Sequence, residues 1–206
     1  MTHPVYLTDG PKDAPLTLVL AHGAGAPMDS DWMNAITAKV AESGFRVVRF
    51  EFPYMAERRE TGKKRPPNPA RVLLQTWMDV IRDLGPERLV IGGKSMGGRI
   101  ASMVADEAGV RGLVCLGYPF HPPGRPEKLR TEHLATLKTP TLICQGERDP
   151  FGTRDEVPGF GLSNAITLHW APDGDHGLKP RKKSGFTEDG NMADVVTAIT
   201  AFMQSL

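Results

Sequence analysis

A serine flanked by small residues is the most chemically suggestive feature of this 206-residue chain. Gly93-Lys94-Ser95-Met96-Gly97, followed by Gly98-Arg99-Ile100, fits G-x-S-x-G directly after the apolar run 89–91. On so tight a strand-to-helix turn, the serine is pushed up into an exposed, strained position at the sheet edge. The helix that follows aims its free amides and partial positive charge at the same place. That combination suits nucleophilic attack on a carbonyl. The plainer reading, a glycine-rich turn with an incidental serine, sits poorly with the strand-then-helix setting. A phosphate-binding loop would need G-x-x-x-x-G-K-[ST], and Gly92 and Gly93 stand too close to Lys94-Ser95 for that.

A neutral serine needs a general base, and the base needs a carboxylate to orient it. In folds that use this turn the chain order is serine, acid, histidine. Of the six histidines, His3 precedes the core, His22 precedes the nucleophile, His133 lies in a helical stretch and His169 inside a strand. His121 comes before the expected acid. His176, in Asp173-Gly174-Asp175-His176-Gly177, follows the last strand and is the expected base. For the acid, the run 141–144 continues as Gln145-Gly146-Glu147-Arg148-Asp149-Pro150, which favours Asp149. Glu147, Asp155 and Asp175 are the alternatives. The oxyanion that develops on the carbonyl calls for two backbone amides. One belongs to Met96, after the nucleophile. The other is expected from His22-Gly23-Ala24-Gly25-Ala26, with Ala24 ahead of Gly25.

These residues need a scaffold that brings distant turns together. Continuous apolar runs at 16–21, 45–50, 89–91, 112–117, 141–144 and 166–170 read as strands of a parallel sheet covered on both faces. Helical spacing joins Trp32, Met33, Ile36 and Val40; Leu73, Trp77, Val80, Ile81 and Leu84; Ile100, Met103 and Val104; and Met192 through Leu206. Alternating strands and helices predict a mostly parallel α/β sheet whose ligands bind beyond the carboxyl ends of the strands. Segments 53–69 and 179–190 lack periodicity and read as loops on that side. Tyr118, Phe120 and His121 follow a strand and are expected to line the pocket.

The runs AHGAGAPMDS, GGKSMGGR, LGYPFHPPGRPEKLRTEHL, TPTLICQGERDPFGTR and DGDHGLKPRK together resemble the small α/β-hydrolases of the dienelactone-hydrolase-like group. More narrowly they resemble the compact predicted hydrolases related to testis-expressed protein 30. The resemblance implies an α/β-hydrolase fold with an eight-stranded-type sheet and no large cap domain. It also implies the roles already given to Ser95, Asp149 and His176. Dienelactone hydrolases proper use a cysteine nucleophile, so with Ser95 in the elbow that reaction does not transfer.

Length suits a single domain over 1–206. The net charge of +1 provides no global field for nucleic acid, and no apolar stretch approaches the ~20 residues that span a bilayer. Cys115 and Cys144, both within apolar runs, fit buried free thiols in a reducing, cytoplasmic setting. No zinc spacing and no cofactor motif is present. The expected substrate is a small-molecule ester or thioester. Arg58, Arg59, Lys63, Lys64 and Arg65, with Lys179, Arg181, Lys182 and Lys183, suggest a positive rim favouring an anionic one. The competing readings are an amidase or carbon–carbon bond hydrolase on the same scaffold, or a non-catalytic interaction protein.

Overall fold

The computed structural model describes residues 4–206, so His3 lies outside the described residues. Seven strands form one sheet: β1 (Leu7–Asp9), β2 (Thr17–Ala21), β3 (Arg46–Phe50), β4 (Leu89–Lys94), β5 (Gly112–Leu116), β6 (Thr141–Gly146) and β7 (Ile166–Ala171). Their spatial order is β1-β3-β2-β4-β5-β6-β7; β1 runs antiparallel to β3 and all other pairs are parallel. This is the α/β-hydrolase fold, with no large cap domain among the described residues. Among the described residues seven strands stand where the resemblance implied an eight-stranded type.

Successive strand side chains point to opposite faces, so each central strand feeds two cores. Val19, Ile91, Leu113, Cys115 and Ile143 face helices α3 (Ala70–Leu84) and α4 (Met96–Ala108). There Trp77 meets Phe50 edge-on at 4.7 Å between ring centroids. Leu18, Leu20, Val90, Val114 and Cys144 face α1 (Asp31–Glu42) and α5 (Glu188–Gln204) on the other side. The fully apolar strands of the sequence are therefore sandwiched between helices, as parallel strands must be.

The segment 53–69 departs from expectation. Its first half is a helix, α2 (Pro53–Thr61), started by proline at its first position and ended by Gly62 at φ 70°. Only Tyr54 and Met55 of this charged stretch are buried, so no apolar stripe advertises it. The loop 179–190 also ends early. α5 begins at Glu188, where the Thr187 side chain accepts a hydrogen bond from the Gly190 amide at 3.0 Å. Strand β1 has too few residues to register as a period.

The strand order turns back between β2 and β4, since β3 lies on one side of β2 and β4 on the other. The turns after β2 and β4 thus open the crevice in which ligands of such sheets bind. No helix among the described residues is long and apolar enough to cross a membrane, and none of their His, Cys, Asp and Glu side chains form a group of three able to hold a metal.

Candidate active site

Ser95 sits between β4 and α4 at φ 51°, ψ −115°, outside the regions open to side-chain-bearing residues. Its amide donates to the Leu116 carbonyl at 2.9 Å, and its own carbonyl accepts from the Arg99 amide at 3.0 Å as the first turn of α4 closes. The turn is tight because the helix abuts β2. A Cβ on Gly97 would stand 2.5 Å from the Ala21 carbonyl oxygen and 2.7 Å from that of His22. Glycine there lets the helix N-terminus reach the end of β2.

The loop after β7 brings His176 to Ser95, with Nε2 2.9 Å from Oγ, and Nδ1 2.7 Å from Asp149 Oδ2. Asp149 is fully buried. Its Oδ1 accepts from the Phe151 amide at 2.9 Å, and its Oδ2 from Gln145 Nε2 at 3.0 Å. Both oxygens act as acceptors, so His176 donates through Nδ1 and leaves Nε2 free to accept the serine proton. The Phe151 ring lies 4.4 Å from the imidazole, centroid to centroid.

The other candidate carboxylates are occupied elsewhere. Glu147 pairs with Arg154 and accepts the Asp173 amide. Asp175 accepts from the amides of Gly177 and Lys179 within its own loop. Asp155 is exposed.

Two donors from outside hold the histidine loop. Lys94 Nζ donates to the His176 carbonyl and lies 5.2 Å over the Trp32 ring, while Trp32 Nε1 donates to the Gly177 carbonyl at 2.9 Å. Burial pushes the Lys94 amine down to about 8, although Asp149 and Asp175 pull the other way.

The His22–Gly25 turn is pinned by its side chain and its carbonyls. His22 Nε2 accepts from the Phe52 amide at 3.1 Å, so the ring is neutral with Nδ1–H donated to the Gly23 carbonyl at 2.7 Å. The Tyr54 hydroxyl donates to the Ala24 carbonyl at 2.9 Å and Arg58 to that of Gly25 at 3.1 Å. With three carbonyls engaged behind it, the turn lines the site at Ala24. A cavity of about 240 Å³ is bounded by Ala24, Ser95, Met96, Arg99, Pro119 and Arg130. Gly25 does not line it. A larger depression of about 890 Å³ beside α2 and α3 contains Arg59 of the basic segment but none of the candidate catalytic or oxyanion residues.

Tyr118, Phe120 and His121 do not line the pocket, which corrects the expectation for this turn. All three are buried, and the chain presents Pro119 to the cavity instead. Their backbone and hydroxyl hold Arg130: its amide donates to the Phe120 carbonyl at 2.7 Å and its carbonyl accepts from the Tyr118 hydroxyl at 3.0 Å. The basic rim is also weaker than its composition suggests. Arg59 pairs with Glu51 and Asp29, Arg65 with Glu57, Lys179 with Glu188 and Arg181 with Asp173. The cations that line the cavity with the nucleophile are Arg99 and Arg130, neither singled out by the sequence. Arg99 was discoverable from its place one helical turn beyond Ser95; Arg130 has no local signal.

Solved structures share this architecture. Est1E from Butyrivibrio proteoclasticus superimposes with a TM-score of 0.73 at 14% identity, covering 97% of this chain and 93% of that one. XC6422 from Xanthomonas campestris, a lidless α/β serine hydrolase, gives 0.68 at 19% identity over 97% and 88%. Dienelactone hydrolase from Anabaena variabilis gives 0.70 at 18% identity over 97% and 90%. In sequence, the chain is 30% identical over 142 residues to ABHD14B of Rattus norvegicus, provisionally named a protein-lysine deacylase. That match spans 66% of this chain and 63% of the relative's length. Residues 14–204, nearly the whole chain, match the profile of the alpha/beta hydrolase domain, and the chain belongs to that family.

Proposed function

We propose that the protein is a serine hydrolase that cleaves small esters or thioesters through an acyl-serine intermediate. The observation that carries this reading is the unbroken line Ser95 Oγ–His176–Asp149, with the strained serine at a helix N-terminus. His176 Nε2 takes the Ser95 proton as Oγ attacks the carbonyl carbon. The negative charge on the tetrahedral oxygen is received by the Met96 amide and by the turn at Ala24, with Gly25 as the second candidate. His176 then returns the proton to the leaving group. Asp149 keeps Nδ1 protonated and stabilises the imidazolium between these steps. Water, deprotonated by the same nitrogen, releases the acyl group. All of this chemistry uses side chains and backbone already present. The two buried free cysteines fit a reducing, cytoplasmic setting, and the whole of 1–206 acts as one domain.

The test is labelling with a fluorophosphonate, read by intact mass and peptide mapping. The expected result is one adduct, on Ser95, absent from Ser95→Ala. Folded wild-type protein that takes up no label would overturn the reading and bring the non-catalytic interaction protein forward. The name of the ABHD14B relative favours a second reading, in which the scissile bond is an acyl-lysine amide. An acyl-lysine peptide belongs beside the esters in the first substrate panel. Turnover of the peptide and not of the esters would select it.

A further inference from the structure

We infer that Arg99 and Arg130 form a binding site for a carboxylate on the acyl group, making the preferred substrates half-esters of short dicarboxylic acids. This rests on the acyl-serine reading above.

Arg99 lies in the first turn of α4, directly after the Ser95 cap, and lines the same cavity as Ser95. Arg130 enters the same cavity from the turn after β5, its backbone clamped by Tyr118 and Phe120. Both guanidinium groups are half-buried, and neither forms an ion pair among the described residues. Arg99 Nε is buried without any hydrogen-bond partner. Burial, and then the neighbouring Arg99, hold the Arg130 guanidinium below its ordinary range. Two uncompensated cations facing one cavity repel each other and call for an anion between them. Guanidinium forks match carboxylates in shape and charge.

The cavity also tells which side of the substrate carries the charge. Its walls include Ser95 and the candidate oxyanion residues Met96 and Ala24, but not His176. The leaving group must stand beside His176 to be protonated, so this cavity takes the acyl group. At about 240 Å³ it is below the ~300–1,000 Å³ of typical ligand pockets, which suits a short chain.

The experiment compares 4-nitrophenyl monoglutarate with 4-nitrophenyl valerate, which share a leaving group and differ in the terminal carboxylate. We expect wild-type kcat/KM to favour the monoglutarate by about 10–100-fold at low salt, as charge-assisted hydrogen bonds allow. The ratio should shrink as salt rises. It should approach one in Arg99→Gln/Arg130→Gln and be partly kept in Arg130→Lys. Equal rates for the two esters in wild type, or a ratio that survives the double substitution, would overturn the inference while leaving ester hydrolysis intact. If neither ester turns over, the proposed function falls. Calorimetry on Ser95→Ala then decides the carboxylate site alone: tighter binding of the monoglutarate than of the valerate, lost in the double substitution, sustains it, and equal binding refutes it.

Discussion

At the scale of single residues, the site depends on conformations that the rest of the fold must impose. Ser95 keeps φ 51° and ψ −115° although it has a side chain, and such backbone strain costs on the order of 1–3 kcal/mol. Its neighbours hold it there: the Leu116 carbonyl takes its amide, and α4 starts on its carbonyl. This strain can be measured by comparing two variants that both lose the hydroxyl. Ser95→Gly relieves the strain but loses roughly 0.5–1 kcal/mol to the freer unfolded chain. It should therefore be more stable than Ser95→Ala by about 1 kcal/mol in chemical denaturation. Equal midpoints would mean that the turn stores no strain. Hydrogen bonding separates the candidate acids at the same scale. Four carboxylates lie within reach in sequence, but Asp149 alone is both fully buried and bonded to His176. Gln145 matters here too, since it donates to Asp149 while accepting the Tyr118 amide at 2.7 Å. It thereby ties the acid to the turn after β5.

Elements bring these residues together, and at this scale close packing of backbone decides whether the site exists. A methyl at Gly97 would press on the carbonyl oxygens of both Ala21 and His22, neither of which can yield like a side chain. Gly97→Ala should thus push α4 off the end of β2, destabilise the fold by about 1–3 kcal/mol and lower fluorophosphonate labelling of Ser95. A variant that labels at the wild-type rate with unchanged stability would show that the helix has room to move. The same elements explain what the amino-acid sequence revealed. The elbow was legible because G-x-S-x-G encodes a backbone conformation within five residues. His176 was legible because chain order is preserved when turns follow strands. The six longer strands were legible as apolar runs, since sheet faces covered by helices admit little else. Helix α2 was not, because its exposed charged residues carry no stripe. Arg130 and Gln145 were hidden for another reason. Arg130 is placed by its backbone bonds to Phe120 and Tyr118, and Gln145 by its bonds to the Tyr118 backbone and to Asp149, and no local spacing records such contacts.

For the whole molecule, charge nearly cancels, so neither solubility nor substrate capture draws on a long-range field. What remains is a local electrostatic dependence carried by a few buried groups, and it fixes how stability responds to acid. His22 is buried, and its ordinary value of 6.5 is lowered, first by burial and last by Arg59, despite the Gly23 carbonyl and Glu51. Its ring nitrogens are already committed, one accepting the Phe52 amide and one donating to Gly23. The folded protein therefore refuses a proton that the unfolded chain accepts. Below pH 6.5 the unfolded state binds more protons, so stability falls as pH falls, by up to about 1.4 kcal/mol per unit for one such group. His133, lowered by burial and by Arg99, acts in the same direction. Carboxylates such as Glu147, Asp173 and Asp106 are held below their ordinary range by their partners and add the same sign only at lower pH. Between pH 6.5 and 5 the histidines dominate. His22→Asn keeps a donor and an acceptor at the turn but removes the titration. Urea unfolding of wild type across this range should show a declining midpoint, and the variant a shallower decline, by up to one proton's worth. Identical slopes would mean that His22 takes up a proton in the folded state, which its bond from the Phe52 amide forbids.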